Sequence, residues 1–314
     1  MKVYFFYSLF LVVLLSACED ELIPNPTPTL TILEQLQTDA NYSELTKALS
    51  KAGLDNRLQV SGPLTFFAPD NTALAAFLGD ETVESVDGEY LQQILSYHLV
   101  PKLLLKDDFD NRGYLTTSSE VDSLLKRLSI AYVKDGDQLV INNVANVSLA
   151  GNELDNGVVY PVNQVLNLPT LASLLANQAD YHRIVKGFDL VNFTNDLGIS
   201  GRKTLLLPQD NAFDYLLDSV GVSDMESLQA AIPSLFAPTI NYHIVPDTHF
   251  LVEDLDSSII VGKNGQNIAI RLDTLGAAFL VDFAGNAVHF EETNIQATNG
   301  MIHLIDTLLV PAGF

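Results

Sequence analysis

The sequence has one cysteine, no tryptophan and few basic residues. A single thiol, Cys18, cannot close an internal disulfide, so the fold has to rest on its hydrophobic core. The missing tryptophan removes the side chain on which sugar-binding platforms lean most, although 11 tyrosines remain. Against 39 Asp and Glu stand 16 Lys and Arg, a net charge of −23, which repels nucleic acid and anionic headgroups and disfavours both as partners. No Gly-x-Ser-x-Gly turn, glycine-rich phosphate loop, His-x-x-x-His pair or EF-hand spacing occurs. His182, His249, His289 and His303 are scattered, and the neighbours Glu253 and Asp254, or Glu291 and Glu292, point to opposite sides of any strand that carries them. No catalytic residue, metal ion or cofactor is therefore expected. What is present is apolar: 47% hydrophobic against 18% charged residues over 314 positions, enough for two cores of roughly 140 residues each.

Part of that hydropathy is N-terminal. Lys2 precedes the apolar run VYFFYSLFLVVLLSA, which has the shape of a secretory signal and is short for a membrane span. The run closes on Leu15, Ser16, Ala17 and Cys18, which resemble a bacterial lipobox; the resemblance implies that residues 1–18 are a signal, that Cys18 is lipidated and that a lipid anchors the chain to a membrane. The alternative is a buried thiol in an uncleaved helix. Residues 19–29, EDELIPNPTPT, are acidic and then proline-rich, as an extended tether would be. Glu19, Asp20 and Glu21 resemble the acidic run that sends some lipoproteins to the outer face of the outer membrane, which implies an exported protein at the cell surface, with the periplasmic face as the other location.

The rest of the chain is written twice. Residues 40–74 align without a gap on 179–213, matching Lys47 with Lys186, Thr65 with Thr204 and Pro69 with Pro208. SYHLVP at 96–101 returns as NYHIVP at 241–246, and NGVVYPVNQVL from Asn156 returns as NGMIHLIDTLL from Asn299. Each unit opens with helical spacing, as in YSELTKALSKAG ending at Gly53, then a short buried strand, LTFFAP or TLLLP, with Asp70 or Asn71 placed to cap the helix behind it. The second halves alternate polar and apolar residues around turns such as KNGQN and KDGDQ, which predict hairpins. Helices first and strands after predict an α+β fold with an antiparallel sandwich or wedge and helices packed on the N-terminal half of each unit.

In this order, TFFAPDNTAL, YHLVP and NGVVYPVNQVL, then TLLLPQDNAF, YHIVP and NGMIHLIDTLL, the chain resembles two fasciclin (FAS1) domains in tandem, over residues 30–168 and 169–314. The motif residues carried over are Thr65, Pro69, Asn71, Tyr97, His98, Asn156 and Gly157, and in the second unit Thr204, Pro208, Asp210, Tyr242, His243, Asn299 and Gly300. The resemblance implies mostly structural roles for them, with the histidines in the packed centre. Leu74, Leu206 and Leu207 depart from the usual motif, and Tyr160 stands where a His is frequent; all keep their bulk. The family further implies a non-enzymatic adhesion or interaction protein whose partner is another protein, a matrix component or a cell-surface glycan; the alternative is a surface glycan-binding lipoprotein working beside a polysaccharide importer. Candidate contact residues are Phe109 and Phe250, in the loops after Pro101 and Pro246, which otherwise serve to pack those loops down.

Overall fold

A computed structural model of the chain describes residues 30–60, 62–120, 127–176, 179–199 and 201–313. The signal with Cys18 and the tether 19–29 lie outside the described residues. The first domain carries helices α1 (Ile32–Thr38), α2 (Ser43–Lys51), α3 (Asp55–Val60), α4 (Asn71–Leu78) and α5 (Gly88–Tyr97). Its strands are β1 (Leu64–Pro69), β2 (Leu99–Val100), β3 (Arg112–Glu120), β4 (Arg127–Asp135), β5 (Gln138–Ile141), β6 (Ala145–Ser148), β7 (Asn152–Leu154) and β8 (Gly157–Val162). The second domain follows with α6 (Leu171–Leu175), α7 (His182–Leu190), α8 (Asp214–Val220), α9 (Met225–Ala231) and α10 (Pro233–Tyr242). Its strands are β9 (Lys203–Pro208), β10 (Ile244–Pro246), β11 (Ile259–Val261), β12 (Asn267–Leu272), β13 (Ala278–Val281), β14 (Ala287–Ala297) and β15 (Gly300–Ile305).

The two sheets have one topology, β2-β1-β8-β6-β5-β4-β3 and β10-β9-β15-β14-β13-β12-β11. The expectation of an antiparallel sheet needs one correction: the central pairs run parallel, β1 beside β8 and β9 beside β15. Their sequences explain it. LTFFAP and GVVYPV are nearly unbroken apolar runs, the composition of strands covered on both faces, and parallel strands are found in such settings. Phe66, Ala68 and Val159 join the helix-side core with Leu45, Leu49 and Leu95, while Phe67, Val158 and Tyr160 join a second core inside the curled sheet with Leu128, Ile130 and Leu139. Leu205 and Leu207 against Leu206 divide the same way in the second domain.

Local signals account for the element ends. Thr31 caps α1 and shares a capping box with Glu34. Ala52 ends α2, and Gly53 behind it takes the left-handed φ of +69° that stops the helix. The predicted hairpins form: Gly136 (φ +59°) turns β4 into β5, and Gly265 (φ +83°) turns β11 into β12.

The domains also touch. Ala131 and Tyr114, on the outer face of β4 and β3, pack against the second domain's core; Gln296 N–H donates to Ser129 Oγ at 3.0 Å, and Arg112 lies 3.2 Å from Asp180.

Gly157 and Gly300 begin β8 and β15 at the point of closest approach. A Cβ at Gly157 would lie 2.0 Å from Leu64 O, and one at Gly300 would lie 2.4 Å from Lys203 O, so the parallel pair cannot close around any side chain there. Gly157→Ala is expected to destabilise the chain in urea unfolding by more than about 3 kcal/mol. Gly136→Ala, where a Cβ meets nothing within 4 Å, is expected to cost only about 1 kcal/mol, for its positive φ.

Candidate functional site

The Tyr-His pair closes α5 and α10. His98 follows α5 as its C-cap and is fully buried, with both ring nitrogens engaged: Nδ1 lies 2.8 Å from Ile94 O, and Nε2 accepts from Leu166 N–H at 2.9 Å. His243 repeats this with Thr239 O at 2.9 Å and Leu309 N–H at 3.0 Å. Since a backbone N–H can only donate, Nε2 is the bare nitrogen and Nδ1 carries the proton, which defines one neutral tautomer. Burial disfavours the imidazolium and brings both pKa values down to about 4, against a smaller upward pull from the carbonyl bonded to Nδ1. Each ring therefore ties a helix end to the chain leaving β8 or β15, and neither faces a space where a substrate would meet it.

The other motif residues do similar work. Thr65 Oγ1 donates to Lys102 O at 2.7 Å and accepts from Leu104 N–H at 2.9 Å, and Thr204 Oγ1 donates to Thr248 O at 2.9 Å. The loops after Pro101 and Pro246 are thereby fastened to β1 and β9. Asn156 Oδ1 accepts from Ile32 N–H while Nδ2 donates to Leu58 O; Asn299 holds Leu171 N–H and Leu197 O likewise. Tyr97 donates to Ser129 O and accepts from Asn142, and Tyr242 donates to Asn267 O; burial pushes the Tyr242 phenol up to about 12. Pro69 and Pro208 end their strands in parallel register with Val162 and Ile305. Of the two candidate caps for α4, Asp70 is the one used, through Ala73 N–H at 2.8 Å. Asn71 turns instead to the start of α2, accepting from Glu44 N–H and donating to Ala40 O, and Asp210 takes Arg183 N–H at the start of α7.

Burial corrects the contact role of Phe109, and Phe250 is packed in part. Phe109 is only 3% exposed and lies edge-on to Tyr132 and Tyr160 at 5.5 and 6.2 Å. Phe250 is half-buried and stacked on His303 at 5.0 Å. In loops rich in acidic residues, the phenyl ring is a group the core can take up, so it anchors the loop. Tyr160, noted in the sequence as a departure, and His303, noted only among the scattered histidines, are the partners of those anchors. Tyr160 donates to Leu104 O at 3.0 Å, and His303 Nε2 lies 3.1 Å from Phe250 O with Nδ1 accepting from Asn294 N–H, so a phenol and an imidazole perform the same fastening. The surfaces left for a partner include the loop residues Leu103, Asp107, Asp110, Thr248, Glu253 and Asp254. A separate polar cleft of about 610 Å³ in the first domain is lined by Arg57, Asp87, Glu89, Tyr90, Gln93 and Glu120 among others.

The histidine geometry carries a pH prediction. An unfolded His protonates near 6.5, whereas these remain neutral to about 4, so each contributes stability that is complete above pH 6.5 and drains away as pH falls to 4. Over that window the loss is on the order of 3 kcal/mol per histidine. Urea melts of wild type and His98→Gln at pH 7.5 and 4.5 measure it: the variant is less stable at pH 7.5, and its deficit narrows at pH 4.5. A deficit equal at both values would mean that His98 is not held neutral.

A family model for the fasciclin domain matches residues 40–169 and 179–311. Protein sll1483 of Synechocystis is 35% identical over 144 residues, covering 45% of this chain and 74% of that protein. Transforming growth factor-beta-induced protein ig-h3 of Oryctolagus cuniculus is 26% identical over 81% of this chain, and human periostin 25% identical over 87%. The chain spans about a third of those two relatives' length, 36% and 31%. Among solved structures, the FAS1 domain pair of the insect cell adhesion molecule Fasciclin I aligns with 88% of this chain and 95% of its own at 18% identity and a TM-score of 0.48. With two matched domains that together span most of its length, the chain belongs to the fasciclin domain family.

Proposed function

We propose that the protein is a non-enzymatic adhesion or interaction protein, anchored through lipid at Cys18 and held by the tether 19–29 at the cell surface. The observation that carries this reading is the complete engagement of the motif residues. Both Tyr-His histidines, both threonines and both asparagines are bonded inside the fold, so partner binding falls to exposed loops and faces rather than to a reactive centre. A protein, a matrix component or a cell-surface glycan suits such surfaces, and a net charge of −23 speaks against nucleic acid. Two linked domains gain avidity from modest individual sites, and a dense layer of anchored copies gains it again.

The second reading, capture of a glycan beside an importer, is favoured by one observation. The polar cleft beside α5 combines amide, hydroxyl and carboxylate groups with Tyr90, 43% exposed and stacked on Phe77, which is the mixture that holds a neutral sugar.

Protease shaving of intact cells tests the display. The wild-type domains are expected to be digested while the envelope is unbroken, and the Cys18→Ala protein to be lost from the membrane fraction. Protection until the envelope is opened would move the protein to the periplasm and remove the adhesion reading. Saturable micromolar binding of a polysaccharide that Tyr90→Ala abolishes would put the glycan reading first.

A further inference from the structure

The sheets end on matching strands, β3 and β4 in the first domain, β11 and β12 in the second. The registers correspond: Tyr114 opposes Ala131 and Thr116 opposes Ser129, as Ile259 opposes Ala269 and Val261 opposes Asn267. The facing corresponds too, since Ile130 and Tyr132 enter the first domain's own core as Ile268 and Ile270 enter the second's. Tyr114, Ser129 and Ala131 thus occupy the outer face in one domain, and Ile259, Asn267 and Ala269 the same face in the other.

The first of these faces is covered by the second domain. Ala131 is 3% exposed, and burial against that domain pushes the Tyr114 phenol up. The second face is bare and more apolar: Ile259 is 59% exposed and Val261 47%, with Phe279 and Val281 half-exposed on β13 beside them. It also lies on the last strand of the sheet order, β11, which is laddered to β12.

The surface that covers the first face has its own counterpart. It consists of the turn Ala179–Tyr181 and the end of β14 around Gln296, and the repeat matches these with the turn Ala40–Tyr42 and β7. β7 pairs with β8 as β14 pairs with β15, Asn152 opposite Val159 and Ile295 opposite Ile302. On the first domain this surface is open, with Asn41, Asn152 and Glu153 exposed and Tyr42 half-exposed.

We propose that the outer face of β11 and β12 docks on the Ala40–Tyr42 turn and β7 of a second copy of this chain, repeating between molecules the contact that joins the domains within one. Ile259 takes the place of Tyr114, Ala269 that of Ala131, and Asn267 stands opposite Glu153 where Ser129 stands opposite Gln296. The two surfaces differ, so the contact is heterologous and propagates head to tail instead of closing into a dimer. Each copy carries −23, so the association strengthens with ionic strength. It goes beyond the adhesion reading and does not depend on it.

Thiol trapping in the full chain with Cys18→Ala tests the geometry. Asn267→Cys combined with Glu153→Cys is expected to give a ladder of dimers, trimers and longer species on a non-reducing gel, while each single variant stays monomeric. Adding Ile259→Asp, at an exposed position that the fold tolerates, is expected to cut the trapped fraction about tenfold or more. A dimer from Asn267→Cys alone would mean that the face pairs with itself, and a monomeric double variant would mean that it stays bare; either overturns the proposal. Sedimentation velocity of the Cys18→Ala chain needs no introduced thiol: a coefficient that rises with concentration supports the docking, and a constant one at millimolar chain counts against it.

Discussion

Each domain depends on one contact, the parallel pairing of a strand that enters the domain early with the strand that nearly ends it. β1 and β8, like β9 and β15, lie side by side with no side chain between their backbones at the first register position. Being covered on both faces, the pair divides the apolar side chains between a helix layer and a curled-sheet interior. It also joins residues nearly 100 positions apart, so neither half of a domain has a complete core without the other.

Around this pair the buried polar groups act as fastenings. A hydroxyl, amide or imidazole without a partner in this environment would lose the several hydrogen bonds water gives it, a cost large against the stability of a domain. The motif residues answer by bonding main-chain groups that helices and sheets leave without a partner: in the loop after β2 or β10, in the chain leaving β8 or β15, and at the start of α1 or α6. A motif that holds loops in place is compatible with loops of any surface chemistry, which is why these residues recur in both domains while the residues exposed around them differ.

The two copies of the fold are equal inside and unequal outside. The same sheet face is an internal joint in the first domain and an exposed apolar surface in the second. The exposed Ile259 and Val261 mark where that surface lies.

Much of the architecture was legible in the residues. The repeat, the turn glycines, the apolar strand runs and the Tyr-His helix ends are local patterns, governed by the steric limits of φ and by spacings of two and 3.6 residues, which act over a few positions and can be read from them. The structural role of His98 and His243 was legible from the family resemblance, and their partners, Leu166 and Leu309, were not, because nothing in a sequence says which distant amide a ring nitrogen will meet. Three matters were decided only in three dimensions. The central strands run parallel because a chain covered on both faces can be joined only after the rest of the domain has crossed over. Phe109 and Phe250 anchor their loops because Tyr132, Tyr160 and His303 arrive beneath them from strands far along the chain. Asn71 reaches α2 instead of capping α4 because the ends of two helices meet at β1, a coincidence of packing; sequence determines what each segment is able to form, and which segments lie against one another is determined by the joint burial of all of them.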